Sequence, residues 1–111
     1  TELRIVMAHL GHPWLEDCLV VVRKHPNVYA DISARFYRPW SYYNGVRYAY
    51  EWGVMHKVLF GTDYPVATPQ ETMDGLRHFN DFARRHHLPE VPQDLLEGII
   101  QRDSLSLLGL K

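Results

Sequence analysis

Two residues of this 111-residue chain stand where chemistry could be done, His9 and Asp63. Each follows a short apolar run. His9 ends LRIVMA (residues 3–8), and Asp63 comes two residues after KVLFG (residues 57–61). An imidazole and a carboxylate on one rim of strand ends can ligate a divalent metal, because His nitrogen and Asp oxygen both suit zinc and similar ions. They can equally move protons, the imidazole as acid or base and the carboxylate as base or orienter. Both tasks need rigid strand ends. Spacing alone leaves a plainer reading open, in which the histidine is a loop or core residue and the aspartate a turn former.

The elements that must position them follow from the apolar pattern. Residues 3–8, 28–32 (VYADI) and 57–61 read as three strands, short and rich in β-branched side chains. Between them, residues 14–24 place Leu15, Cys18, Leu19 and Val22 on one helical face. Pro13 is expected as the first helical residue, with acids in the first turn and bases in the last. Residues 41–52 form a second expected helix, weakened by Asn44 and Gly45, with Gly53 after its end. Thr68-Pro69-Gln70-Glu71 is a capping box opening a third helix, whose buried face continues through Met73, Leu76, Phe79 and Ala83. A helix from Pro92 to Ile100 and a short one at residues 104–108 close the chain.

The order βαβαβα with near-continuous apolar strands implies a parallel sheet covered by helices. In such a sheet all C-terminal tips share one edge, so His9, Asp31 with Ser33, and Asp63 are expected on one rim. That is where α/β sheets and barrels bind ligands.

Composition bounds the function. Hydrophobic residues make up 46% and charged residues 23%, so one packed domain is affordable. A net charge of −1 argues against a broad footprint for nucleic acid or an anionic membrane, and leaves room for a small local site. The single cysteine, Cys18, excludes an internal disulfide. No apolar run is long enough to span a bilayer, and no signal peptide is visible, so a cytoplasmic setting is expected. Strand-like sequence begins within two residues of Thr1, without an initiator methionine or a leading cap, which reads as a piece of something longer.

IVMAHLGHPW, HPNVYADIS, KVLFGTDYPVATPQE and EGIIQRDSLSLLGL, in this order, resemble the C-terminal part of the amidohydrolase-related family of metal-dependent hydrolases and decarboxylases. AHLG and GTDYP are the specific segments. The resemblance implies an α/β fold, the C-terminal part of a (β/α)₈ barrel, with the three strands here as the sixth, seventh and eighth. By that likeness His9 matches an acid/base histidine that is a ligand in binuclear relatives. Asp63 matches a metal ligand that also takes a proton from attacking water. The implied cofactor is a divalent metal, zinc first and manganese or another as alternatives, held mostly by residues absent from this chain. The family's His-x-His pair and fifth-strand histidine have no counterpart here, and Asp103 stands where relatives usually carry asparagine. A small cyclic or aromatic carboxylic acid or a lactone is the implied substrate, with self-association or pairing with the rest of the barrel as the expected assembly.

Other residues have plainer expectations. His12 is expected to serve the start of the first helix, and His86 and His87 to lie on the surface. Cys18 is expected in the core. Asp31 faces the rim or bonds a neighbouring loop. In ARFYRPWSYYNGVRYAYEWG, Tyr42, Val46, Ala49 and Tyr50 are expected to pack on the sheet. Arg35 and Trp40, just past a strand tip, are the candidates to touch substrate, the arginine through a carboxylate. The competing reading is a non-catalytic α/β module that assembles through an exposed sheet edge and the aromatic loop.

Overall fold

The computed structural model describes residues 3–111; Thr1 and Glu2, where the chain was read as lacking a leading cap, lie outside the described residues. Three parallel strands form one sheet in the order β1 (Ile5–Met7), β2 (Val28–Asp31), β3 (Val58–Leu59). Met7 pairs with Ala30, and Ala30 with Val58, so the three tips are level.

All three strands are shorter than their apolar runs. A strand persists only where a neighbour lies alongside to complete its ladder. Residues 8–11 leave β1 for a 3₁₀ turn, and residues 55–57 make another that consumes Lys57. Once β2 ends at Asp31, Phe60 and Gly61 have no partner strand, although the Ile32 amide still donates to the Leu59 carbonyl at 3.0 Å. Central β2 is buried at Val28, Tyr29 and Ala30. In β1, by contrast, Ile5 and Val6, which point to opposite faces, are 43% and 39% exposed.

Helix α1 (Leu15–Lys24) buries Cys18, Leu19 and Val22 as the pattern requires. It begins after Pro13, not at it. Pro13 sits in the turn closed by the Trp14 amide on the Gly11 carbonyl, after a cis bond from His12. At the other end Lys57 Nζ donates to the carbonyls of Val22 and His25, both at 2.7 Å, satisfying groups the helix leaves open.

Helix α2 (Pro39–Glu51) starts two residues earlier than expected, because Pro39 takes the first helical position that its fixed φ suits. Trp40 therefore lies in the helix, and not in the loop. Gly45 is buried for a packing reason: a Cβ there would stand 2.8 Å from Leu10 Cδ1. Tyr42, Val46 and Ala49 face the core, while Tyr50 is half-buried.

The third expected helix is two. Helix α3 (Pro69–Arg77) opens with the full capping box, Glu71 N on Thr68 Oγ1 at 3.2 Å and Thr68 N on Glu71 Oε1 at 3.0 Å. Helix α4 (Phe79–Arg85) follows a bend at His78. The bend lets α3 pack on α5 (Gln93–Gln101) while α4 packs on α2, so Leu76 and Phe79 are both buried. Asn80 fixes α4 by bonding both sides of the Val91 peptide, at 2.7 and 2.9 Å. Last comes α6 (Ser104–Leu107), whose N-cap is Asp103, accepting from Ser106 N at 3.2 Å and Ser106 Oγ at 2.8 Å. Aspartate and asparagine cap equally well, which accounts for the departure at this position. Just before it, Arg102 donates to the Val58 carbonyl and occupies an edge group of β3.

Leu96 and Ile99 of α5 are fully buried. Leu96→Ala is expected to cost about 2–5 kcal/mol, and Leu110→Ala, at a 71% exposed position, to stay within about 0.5 kcal/mol, measured by urea unfolding. A second expectation concerns acid. Arg77 grips Glu97 with two bonds, at 3.0 and 2.9 Å, and Gln101 adds one at 3.0 Å. Arg77 first, then Gln101, holds the Glu97 carboxyl down from 4.5 to about 2. A depressed carboxylate contributes stability above its unfolded value and loses it as pH falls. The stability difference between wild type and Glu97→Gln should thus be level above pH 4.5 and fade toward about pH 2. It should be small, because the pair is exposed.

Candidate functional site

The rim is organised by a turn of unusual backbone. His9, Leu10 and Gly11 have φ of 58°, 53° and 74°, the left-handed region in succession. Only glycine enters it freely; other residues pay roughly 1–2 kcal/mol each. Leu10 is wholly buried, fitted to Gly45, and Gly11 rests so close to Cys18 that a Cβ would stand 2.4 Å from the Cys18 Cβ. Leu10 thus anchors the turn in the core and holds His9 up at the rim. Burial pushes the Cys18 thiol up to about 11, with Asp31 adding to the effect, so this cysteine is packing and not a reactive thiolate.

Asp31 ties the tips together. Its Oδ1 accepts from the His9 amide at 3.1 Å, the Ser33 amide at 3.1 Å and the Ser33 hydroxyl at 2.5 Å. His9 Nδ1 in turn lies 2.8 Å from Ser33 Oγ and 3.1 Å from the Ser33 carbonyl oxygen. Gly61, on the exit of β3, packs beside them: a Cβ there would be 3.5 Å from Ser33 Cβ and 3.6 Å from Asp31 Cγ. Asp63 follows two residues later, exposed, with φ 59° and its carbonyl accepting from Val66 N at 2.9 Å. Its carboxylate makes no hydrogen bond or ion pair among the described residues.

Of the two arginine and tryptophan candidates, Arg35 belongs to the rim. It is 4% exposed, and Nε donates to the Ala34 carbonyl at 3.0 Å and Nη1 to Ser41 Oγ at 2.9 Å. No acid faces it among the described residues. Burial first, then Arg38, pulls its pKa down. His12 is pushed down too, by lost hydration and then by the positive charges of Arg35, Arg38 and His9. Its side chain does not cap α1. Trp40 is grouped elsewhere, edge-on to Phe82 at 5.5 Å and to Tyr43 at 6.3 Å in the aromatic cluster between α2 and α4. His86 and His87 are exposed. A cavity of about 260 Å³ behind that cluster, lined by Phe36, Tyr42, Phe79 and Arg85 among others, shares no residue with the rim.

Ser33 is the rim residue that sequence reasoning weighted least. Ser33's position directly past a strand tip was its only signal. Ser33 is not an activated nucleophile: its hydroxyl proton goes to Asp31, and its side chain is buried. Among the described residues no group of three or more His, Cys, Asp or Glu is arranged to hold a metal. His9 and Asp63 offer two donors at most, short of the three protein ligands a catalytic zinc site uses, so this chain's residues do not compose a metal centre by themselves.

A family model described as amidohydrolase matches residues 1–110. The chain belongs to the amidohydrolase family, whose members are generally hydrolytic or decarboxylating enzymes and usually bind a divalent metal. No curated protein and no solved structure matches it. Among the described residues no helix is long and apolar enough to cross a membrane.

Asp63 gives a test of the rim's backbone. Asparagine tolerates the left-handed region as aspartate does, and alanine does not. Asp63→Asn should leave stability within about 0.5 kcal/mol, whereas Asp63→Ala should lose about 1 kcal/mol, read from urea midpoints at constant slope.

Proposed function

We propose that this chain supplies part of the strand-end edge of an amidohydrolase-type active site. The substrate is a small cyclic or aromatic carboxylic acid or a lactone, and the reaction is hydrolysis or decarboxylation. In this reading β1, β2 and β3 are the sixth to eighth strands of a (β/α)₈ barrel. One observation carries the substrate class: Arg35 is buried without an acid to face it, on the same edge as His9. A buried guanidinium without a counter-charge is costly, and a substrate carboxylate would relieve that cost. Arg38 adds positive potential nearby, felt by His12, whose own pKa is pushed down so that it stays neutral.

His9 is the proton-transfer group, held at the rim by Asp31 and Ser33. Asp63 gives one oxygen ligand to a divalent metal, zinc or manganese, whose other ligands come from residues outside this chain. The uncovered faces of β1 are consistent with such a complement, whether the remaining barrel or a second copy. The same uncovered strand is what favours the second reading, an assembly module without catalysis.

Turnover of aromatic acids and matched lactones, measured on metal-supplemented protein, separates the two. His9→Gln should lower kcat at least a hundredfold, and Asp63→Asn should lower both metal content and kcat. Arg35→Gln should raise KM tenfold or more for the carboxylic acids and leave lactones without a carboxylate near wild type. A defined oligomer that takes up no metal and turns over none of these compounds would favour the module instead.

A further inference from the structure

This inference rests on His9 as the proton-transfer group, but its first readout does not need activity. Ser33 carries one hydroxyl proton, and that proton is committed to Asp31 Oδ1 across 2.5 Å. The Ser33 oxygen 2.8 Å from His9 Nδ1 can then only accept. The Ser33 carbonyl oxygen, 3.1 Å from the same nitrogen, can only accept in any case. Both neighbours of Nδ1 require a donor there. We infer that Asp31 and Ser33 are positioning residues that hold His9 as its Nδ1–H tautomer, leaving the Nε2 lone pair as the atom that takes and returns the proton at the rim.

Asp31 matters here without touching the ring. If its carboxylate were missing, the Ser33 hydroxyl could turn its proton onto Nδ1, and the ring proton would move to Nε2. That tautomer has no lone pair at Nε2 and is no base there. With Asp31 present the exchange is closed off. Protonation at Nε2 also disturbs nothing behind the ring, since Nδ1–H donates to the same two oxygens in imidazole and imidazolium. The proton passes from substrate to Nε2 and back, with no further reactant.

Long-range ¹⁵N–¹H spectra of the purified protein near neutral pH test this directly. The expected result is a single Nδ1–H tautomer for His9; an Nε2–H tautomer overturns the inference. Asp31→Asn keeps a carbonyl acceptor for Ser33 and should keep the wild-type tautomer. Asp31→Ala releases the Ser33 proton, and the Nε2–H form should rise at least tenfold from its wild-type population. An unchanged tautomer in a folded Asp31→Ala variant refutes the role of Asp31. Should that variant not fold, Ser33→Ala decides. The backbone carbonyl should keep Nδ1–H while kcat falls about tenfold with KM within twofold, and an unchanged kcat refutes the positioning role. If the wild type shows the Nδ1–H tautomer yet turns over no substrate, the enzymatic reading fails and the tautomer assignment stands.

Discussion

One carboxylate oxygen holds the rim together. Asp31 Oδ1 accepts three hydrogen bonds, one from the tip of β1 and two from the exit of β2. Asp31 ends the central strand of the sheet, so a single group links the neighbouring tip to the middle one. Hydrogen bonds to a charged acceptor are the strong ones, each contributing about 1.5–3 kcal/mol. That is the scale needed to offset the left-handed backbone at His9, Leu10 and Ala34, where each residue loses about 1–2 kcal/mol. Strain and its compensation occupy the same few residues, as they do at sites where a side chain must point somewhere the regular backbone would not send it.

The turn is fixed from below as well as from the side. Leu10 sits in the core against α2, and Gly11 lies on Cys18 of α1. Two helices packed beneath the turn therefore set the height and direction of His9. Gly45 shows the coupling most plainly. In the sequence it is a flaw in a helix; in the structure its missing side chain is the space that Leu10 fills. A methyl group added there would press on the turn that carries the imidazole, 35 residues away in the chain.

Element types and the meeting of His9, Asp31 and Ser33 at one sheet edge were legible in the sequence; boundaries and hydrogen-bond roles were not. Apolar runs with β-branched residues mark strands, and the Thr68–Glu71 box marks a helix start, because both signals are local. The same locality explains the misses. The ends of β1 and β3 depend on where the adjacent strand stops, which no residue within them records. The break at His78 follows from α3 and α4 facing different partners, while their apolar spacing runs on unbroken. Pro39 and Trp40 belong to α2 because proline at a helix start and proline in a loop look alike without the helix in view. Asp31 was visible as a strand-end acid, but its three donors lie in two segments 24 residues apart and meet only on folding.

Charge was hidden for a different reason. A net charge of −1 describes a surface on which acids and bases are paired, as Arg77 with Glu97 and Arg84 with Asp81 and Glu90. It says nothing about the place where pairing stops. One such place is the loop after β2, where Arg35 is buried against neutral oxygens and Arg38 and His12 lie within its field. Neutral partners satisfy a guanidinium's hydrogen bonds without cancelling its charge, so the potential remains available to an anion arriving from solvent. In low-dielectric surroundings such a potential acts more strongly than the same charge on an open face. Withholding counter-ions at one loop therefore leaves a local positive charge that a net charge of −1 conceals, in a chain of ordinary composition.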